Sequence, residues 1–334
     1  MIKRIIHTSL LVGLASSFVY GANSVHFNAV AGDQETKYEK EFLPSLEDAT
    51  GFVLADPHEK IDDAYASKYG DPKSPEYDKG YKNTLDNLGF FPVSNDKALH
   101  PLLLTHPQLA AFQPFNLLIY KTKAEDVSYI GHIAPEAMLD IVGVGDAQTR
   151  KAYTSMFGPL DSYVTKSFGG KVEDKQHTTL LPKQPMMHFE ISVDKSQDLL
   201  DWVEGFQENF EAAFEDKEYV IAGFKNFKEV YADLEMPFDK YEQFFVYGLC
   251  HFKFSYEIFN KGRPDAGVFA PCSMYFYIEK GSNKMIVGMP KVANWGAVMD
   301  IKDPKKLKAM QDIDNEIVAV MKSLGAKEIW KHFF

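Results

Sequence analysis

The sequence predicts an α+β fold of two tandem, pseudo-two-fold related domains, each a two-layer sandwich with a mixed or antiparallel sheet covered by helices. The chain repeats itself, because residues 264–288 align without a gap with residues 107–131, 157 positions earlier. Both halves present the same predicted order of strand, helix, two strands, short helix, hairpin and long helix. A length of 334 residues, 45% hydrophobic and 25% charged, suits two globular domains. Six residues coincide in the repeat: Pro107 with Pro264, Phe112 with Phe269, Pro114 with Pro271, Tyr120 with Tyr277, Lys123 with Lys280, and Gly131 with Gly288.

Residues 1–21 are predicted to be a cleaved signal peptide. Lys3 and Arg4 give the basic start, and the mostly apolar residues 5–20 follow. We place cleavage after Gly21, which predicts export and a periplasmic mature protein. An uncleaved membrane anchor is the alternative, but the apolar run is interrupted by polar residues and is short for a span of about 20 residues. We therefore expect no stable membrane insertion after cleavage.

The charge and the missing motifs argue against several classes of function. The formal net charge is −11 and no cluster of Lys and Arg interrupts it, so a nucleic-acid partner is not expected. The sequence has no Gly-rich phosphate loop, no G-x-S-x-G elbow, no H-E-x-x-H pair and no C-x-x-C-H haem attachment motif. These absences weigh only against the well-marked enzyme classes, so the sequence leans away from an enzyme without deciding the question.

The first domain is predicted over residues 22–168. An alternating strand at 25–30 precedes a helix at 36–49 that Pro44 interrupts. Residues 56–80 are an addition of the first half, and their Pro, Gly, Asp and Lys content predicts a surface excursion with one short helix. The remaining predicted elements are strands at 51–55 and 88–93, a short helix at 96–104, hairpin strands at 116–120 and 127–132, and a last helix at 149–168.

The second domain is predicted over residues 186–334, after a linker at 169–185. Asp303 followed by Pro304 predicts the start of the last helix, because Asp caps helix N-termini and Pro is favoured at the first helical position. Gly325 suits the C-terminal end of that helix. The remaining predicted elements are strands at 187–193, 226–234 and 244–249, a helix after Ser196, a short helix at 253–260, and hairpin strands at 273–278 and 284–289.

Short segments near the short helices and hairpins carry a resemblance to a known family. They are Ser94-Asn95-Asp96, Gln113-Pro114-Phe115 and Ala134-Pro135-Glu136-Ala137-Met138 in the first half, and Cys250-His251-Phe252 and Ala270-Pro271-Cys272 in the second. This pattern resembles the family called domain of unknown function 302. The resemblance implies a small α+β sandwich that is commonly paired as a dimer, so the two halves are expected to pair with each other. It implies no activity.

The two cysteines, Cys250 and Cys272, are the main candidates for a chemical site. The resemblance places them at motif positions where the first half has Ser94 and Phe115, so thiol chemistry is predicted only for the second half. With the adjacent His251 they are candidates for a redox pair or a soft metal site. The structural alternatives are a disulfide in an oxidising compartment or two ordinary buried thiols. The sequence identifies no cofactor.

Three further residues are weaker candidates: His132, His188 and Met289. Sequence alignment of the halves matches His26 with His188 and His132 with Met289, and histidine and methionine both ligate haem and copper. Because His26 and His188 alternate with apolar residues on predicted strands, a packed or hydrogen-bonded histidine is the structural alternative.

Two functions follow from these features. The first is an exported, non-enzymatic module that binds a ligand or partner, with a small ligand at the interface between the two domains, where cavities commonly occur. The second is a thiol redox protein or a metal- or haem-binding protein that uses Cys250 and Cys272. Thiol titration, metal analysis and an absorption spectrum for haem would separate the two.

Overall fold

The computed structural model describes residues 22–177 and 179–329, so the predicted signal peptide lies outside the described residues. The described chain is α+β, as predicted, and its sheets are built from antiparallel strand pairs. The strands are β1 Ala22–Ala31, β2 Val53–Leu54, β3 Leu85–Gly89, β4 Pro92–Ser94, β5 Phe115–Asn116, β6 Leu118–Thr122, β7 Val127–Ile133, β8 Lys171–His177, β9 Met186–Ser192, β10 Tyr219–Asn226, β11 Tyr241–His251, β12 Cys272–Glu279, β13 Lys284–Pro290 and β14 Lys327–Glu328.

Helices alternate with the strands in both halves. The Asp303 side chain accepts hydrogen bonds from two backbone N–H groups of the last helix, and Pro304 is its first residue, so the predicted start is confirmed. Within the described ranges, no helix combines the length and apolar character needed to cross a bilayer. The α-helices are α1 Glu35–Lys37, α2 Leu46–Thr50, α3 Ile61–Tyr65, α4 Asp96–Thr105, α5 Pro135–Val142, α6 Ala147–Ser155, α7 Gly158–Phe168, α8 Leu199–Glu215, α9 Phe227–Asp233, α10 Phe252–Phe259, α11 Ala293–Val298 and α12 Pro304–Ser323, with 3₁₀ segments Leu43–Ser45, Pro107–Phe112 and Pro264–Phe269 and π segments Tyr38–Phe42 and Ala66–Gly70.

The two halves have the same strand order once the breaks in the first half are joined. The second half forms one sheet in the order β10-β11-β12-β13-β9-β14, whereas the first half forms β3-β6-β7-β1-β8 and β2-β4-β5. Phe90 and Phe91 separate β3 from β4, and Leu117 separates β5 from β6, where β11 and β12 run without a break. Joining these pieces reproduces the order of the second sheet. The coincident Pro114 and Pro271 both follow cis peptide bonds.

The halves exchange short segments across their contact. The 3₁₀ segment Pro107–Phe112 of the first half packs on β12 and β13, and Pro264–Phe269 of the second half packs on β5, β6 and β7. Both segments are buried along their whole length. The Asn116 side-chain amide donates to the Gly267 carbonyl oxygen at 2.7 Å, which fixes one of these contacts. Because each half covers apolar surface of the other, the hydrophobic effect stabilises the pairing.

The insertion at 56–80 is mostly exposed and contains a short helix, α3, as predicted, but it also packs on the second half. Tyr65 and Tyr69, on consecutive helical turns of the insertion, are fully buried. Their rings contact Phe252 and Tyr256 of α10, with the Tyr69 and Tyr256 centroids 4.1 Å apart. The Pro, Gly and charged residues around them predicted a loop, but two aromatic side chains at i and i+4 give the segment an apolar face.

Three other predicted elements differ from the structure. Residues 226–234, predicted as a strand, contain α9, because the Asn226 side chain caps a helix there, and the strand is β10 immediately before it. The helix predicted at 149–168 is two helices, α6 and α7, because a Gly-Pro pair starts a new helix at Gly158. The linker predicted at 169–185 contains β8, which pairs with β1 and forms a charged, exposed edge strand.

Candidate functional site

The two cysteines lie on adjacent strands but face opposite sides of the sheet. Cys272, at the start of β12, is paired with Leu249 of β11. Cys250 follows Leu249, and neighbouring residues of a strand point to opposite faces. Both thiols are free. The structure therefore brings the two residues near each other without joining them, and each has its own surroundings.

Cys272 lies near the buried carboxyl group of Asp314 on α12. Burial raises the pKa of Cys272 above its ordinary range, and negative charge on Cys250 or Asp314 raises it further. Burial also raises the pKa of Asp314 to about 6, although backbone N–H groups of Val292 (2.6 Å) and Ala293 (3.2 Å) donate to its carboxylate. An acidic, desolvated setting disfavours a thiolate, so Cys272 is poorly suited to nucleophilic or redox chemistry.

Cys250 faces the first half of the chain. Burial raises the pKa of Cys250 to about 11, and a hydrogen bond with Ser255 offsets this only in part. His58 and Phe90 of the first half lie on the same pocket wall as Cys250. This thiol therefore borders a cavity in its neutral, protonated form, in which it behaves as a small apolar group.

His251 caps a helix. Its Nδ1 accepts a hydrogen bond from the backbone N–H of Phe254 in the first turn of α10, at 3.3 Å. In the first half, Asn95 Oδ1 accepts from the N–H of Ala98 at the start of α4 in the same way, at 3.1 Å. Burial lowers the pKa of His251, which keeps Nδ1 unprotonated and able to accept. Asparagine is a typical helix N-cap residue, so Asn95, which aligns with His251, indicates this capping role in the sequence.

Cys250, Cys272 and His251 belong to no larger cluster of metal-ligating side chains in the described ranges. Among residues 22–177 and 179–329, no group of three or more His, Cys, Asp or Glu side chains is arranged to hold a metal ion.

Both cysteines are expected to alkylate slowly in the native protein. A thiol of pKa about 11 carries roughly a hundredfold less thiolate at pH 8 than an ordinary cysteine. We expect iodoacetamide to modify Cys250 about a hundredfold more slowly in the folded protein than in concentrated guanidinium chloride, and Cys272 more slowly still. Mass spectrometry of Cys250→Ser and Cys272→Ser variants assigns each rate. Equal native and denatured rates would contradict the burial of these thiols.

Sequence reasoning missed a buried polar network around His132. Its Nε2 donates to Asp161 of α7 at 2.8 Å, and its Nδ1 donates to the carbonyl oxygen of Ile133 at 2.9 Å. Because both partners only accept, both contacts are hydrogen bonds only when the two ring nitrogens each carry a proton. Burial by itself would lower the pKa of His132, but the hydrogen bond and charge of Asp161 outweigh burial and raise it. Across the strand pair, His26 stacks on His132 at 5.7 Å and lies 2.6 Å from Asp174 of β8.

Strand register corrects the matching of the weaker candidates. Met289 pairs with Met187 across β13 and β9, as His132 pairs with His26 across β7 and β1. The match of His132 with Met289 therefore agrees with the register, but His26 corresponds to Met187, and its sequence alignment with His188 is wrong by one residue. A one-residue shift places a side chain on the other face of the sheet. His132 and Met289 lie in different sheets and do not form a shared ligand pair.

Two adjoining cavities lie where the insertion meets the second half. The outer groove holds about 560 Å³ and is open to solvent between Lys68 and Glu76 of the insertion and Glu218 and Tyr219 of the second half. The inner pocket holds about 60 Å³ and is bordered by Cys250, among others. The inner pocket joins residues from distant parts of the chain, so no local pattern could reveal it. Two side chains line both cavities and stand between them: Val220 and Phe252.

The contact around the matched segments Pro107–Phe112 and Pro264–Phe269 is nearly closed. The crevice between the coincident residues Phe112, Pro114, Phe269 and Pro271 holds about 20 Å³. That is room for about one water molecule. The outer groove and the inner pocket, which also lie where the two halves meet, are larger than this crevice.

Comparison with known proteins identifies a resemblance to a solved structure. No family model matches the chain. No curated protein matches it either. A solved structure that resembles it is described as an uncharacterized conserved protein DUF302 from Bacillus stearothermophilus, with 19% sequence identity and a TM-score of 0.33, over 40% of this chain and 95% of the other.

Proposed function

We propose that the protein is an exported, non-enzymatic binding module in which two tandem copies of a domain of unknown function 302 pair with each other and hold a small ligand between them. The matched strand order and the reciprocal contacts of Pro107–Phe112 and Pro264–Phe269 support the duplication and the internal pairing. The basic start and apolar run within residues 1–21 support a cleaved signal peptide and a periplasmic location.

The observation that carries the ligand proposal is the inner pocket with the outer groove at its mouth. The polar groups of the pocket are already bonded within the protein. The Ser255 hydroxyl accepts from Tyr65 at 2.7 Å and donates to the Phe252 carbonyl oxygen at 2.8 Å. His58 Nε2 donates to the carbonyl oxygen of Ala222 at 2.6 Å. An occupant of the inner pocket therefore gains most by being apolar.

The size of the inner pocket sets the size of that apolar group. A volume of 60 Å³ corresponds to about four or five water-sized spheres. The outer groove is roughly nine times larger and lined by charged side chains. We therefore assign to the ligand a short apolar tail, which enters the inner pocket, and a polar head, which stays in the outer groove.

The thiol alternative has less support. Cys250 and Cys272 face opposite sides of the sheet, and burial raises the pKa of both, whereas reactive thiols need a lowered pKa and a partner that stabilises the thiolate. Cys250 is therefore treated as a wall of the ligand pocket.

A larger side chain at Val220 is expected to abolish ligand binding. Val220 stands between the two cavities and is 49% exposed, so Val220→Phe closes the passage without overfilling the core. Native mass spectrometry of the mature protein, purified from its own periplasm, should find a bound small molecule in the wild type and none in Val220→Phe. The matched control is Val172→Phe, since Val172 is 42% exposed on the edge strand β8. Equal occupancy in all three proteins, or none in the wild type, would contradict the proposal.

A further inference from the structure

The charges that line the outer groove indicate whether the polar head group of the ligand is a cation or an anion. Lys68 is the cation of the groove wall, and its ammonium lies 3.0 Å from the Glu76 carboxylate, so the two charges largely cancel. The Lys68 ammonium also lies 5.2 Å from the ring centroid of Phe252, which belongs to α10 of the second half. A ligand carboxylate would have to displace Glu76 to reach this cation.

Glu218 leaves the groove with a net negative charge. This residue has a positive φ of 63° between the end of α8 and the start of β10, and its side chain lines the outer groove. In the part of the chain that the structure describes, its carboxylate has no ion pair and no side-chain hydrogen bond. Because Lys68 is neutralised by Glu76, the charge left for a ligand head is that of Glu218.

The aromatic rings of the groove wall do not select the head. The Lys68 ammonium already lies on the Phe252 ring, and the Tyr219 ring is buried against Phe214 and His251. The preference for a cation therefore comes from Glu218, and an exposed ion pair contributes up to about 1 kcal/mol.

We infer that the outer groove and inner pocket bind a small amine, with the cationic head beside Glu218 and a short alkyl tail passing between Val220 and Phe252 into the inner pocket. This inference rests on the proposed ligand-binding function and names its chemical class. The tail occupies the apolar chamber beside Cys250, and the head stays in solvent contact in the groove, so a buried charge is avoided.

Three probes with the same four-carbon tail test the head group: n-butylamine, 1-butanol and butyrate, each titrated at pH 7 into isotopically labelled mature protein and followed by NMR. We expect n-butylamine to bind up to about fivefold more tightly than 1-butanol, and butyrate to bind more weakly than 1-butanol. Shifts of the Val220 methyl signals locate the tail. Val220→Phe should remove the shifts of the inner pocket for all three probes.

Glu218→Gln is the variant that tests the source of the preference. It should weaken n-butylamine binding several-fold and leave 1-butanol binding unchanged. The matched control is Glu215→Gln, since Glu215 is an exposed acid at the end of α8 outside the groove wall. Both variants remove one negative charge, so a general effect of net charge would appear in both.

The possible outcomes test the cationic head group and the proposed binding function separately. If 1-butanol binds as tightly as n-butylamine, or butyrate binds most tightly, the cationic head is wrong and the binding function stands. If Glu218→Gln and Glu215→Gln change n-butylamine binding equally, Glu218 does not select the head. If no probe shifts the Val220 signals in the wild type, the proposed ligand pocket itself is wrong.

Discussion

Asp96→Ala is expected to destabilise the protein by about 3–5 kcal/mol, because it leaves the mostly buried ammonium group of Lys225 without a counter-charge. Lys225 of β10 in the second half lies 2.7 Å from Asp96 at the start of α4 in the first half, and the two side chains are 10% and 8% exposed. The ammonium also donates to the Ser94 hydroxyl at 2.7 Å. Urea unfolding at pH 7 measures the loss.

Two comparisons separate the buried charge from the lost contact. The double variant Asp96→Ala with Lys225→Met removes both charges and should regain most of the stability, because a pair of apolar side chains leaves no charge to desolvate. Asp312→Ala is the matched surface control, since Lys308 and Asp312 are 2.6 Å apart but 74% and 58% exposed. That variant should cost at most about 0.5 kcal/mol. A loss below about 1 kcal/mol for Asp96→Ala would contradict a buried pair.

Gly131→Ala is expected to cost about 3 kcal/mol or to prevent folding, because the new methyl group meets backbone atoms. Gly131 of β7 faces Phe27 of β1 in the strand pair. A Cβ at this position would overlap the carbonyl oxygen of His26 and crowd Phe27. Backbone atoms of a central strand cannot move aside as a flexible side chain can, so the strands would have to separate. Guanidinium unfolding measures the change.

Gly205→Ala is the control for this prediction. Gly205 lies inside α8, and a Cβ there would have no atom within 4 Å. Replacing a glycine inside a helix by alanine removes its entropic cost, so we expect Gly205→Ala to stabilise the protein by about 0.5–1 kcal/mol. If both variants changed stability alike, the close approach of β1 and β7 at Gly131 would not be the cause.

The elements that local sequence determines were predictable. Asp303 and Pro304 mark the start of α12 because capping and the proline position depend on adjacent residues, and the hairpin strands β12 and β13 follow from apolar runs separated by a turn. The wrong prediction at α9 also has a local cause: Asn226 is a helix cap, but the aromatic and β-branched residues after it favour a strand.

The candidate site was predictable only in part. Cys250, Cys272 and His251 were identified, but whether two strand residues share a face depends on register, and the structure places the thiols on opposite faces. The network around His132 joins it to Asp161, 29 positions away, and the inner pocket includes a hydrogen bond between His58 and Ala222, 164 positions apart. Such contacts follow from the packing of the whole chain, and no spacing pattern records them.

Because the two halves belong to one chain, two equivalent positions can carry different residues. Ser94 pairs with Val53 as Cys250 pairs with Val220, so these residues hold equivalent positions in the two sheets. At Ser94 the space is filled by Lys225 of the opposite half, whereas at Cys250 the opposite half contributes His58 and leaves the inner pocket. In a symmetric homodimer any substitution appears in both subunits. The interface could not then have a buried ion pair at one of two equivalent positions and an open pocket at the other. A single chain with two copies has no such restriction. One side can hold the copies together while its counterpart diverges to bind a ligand.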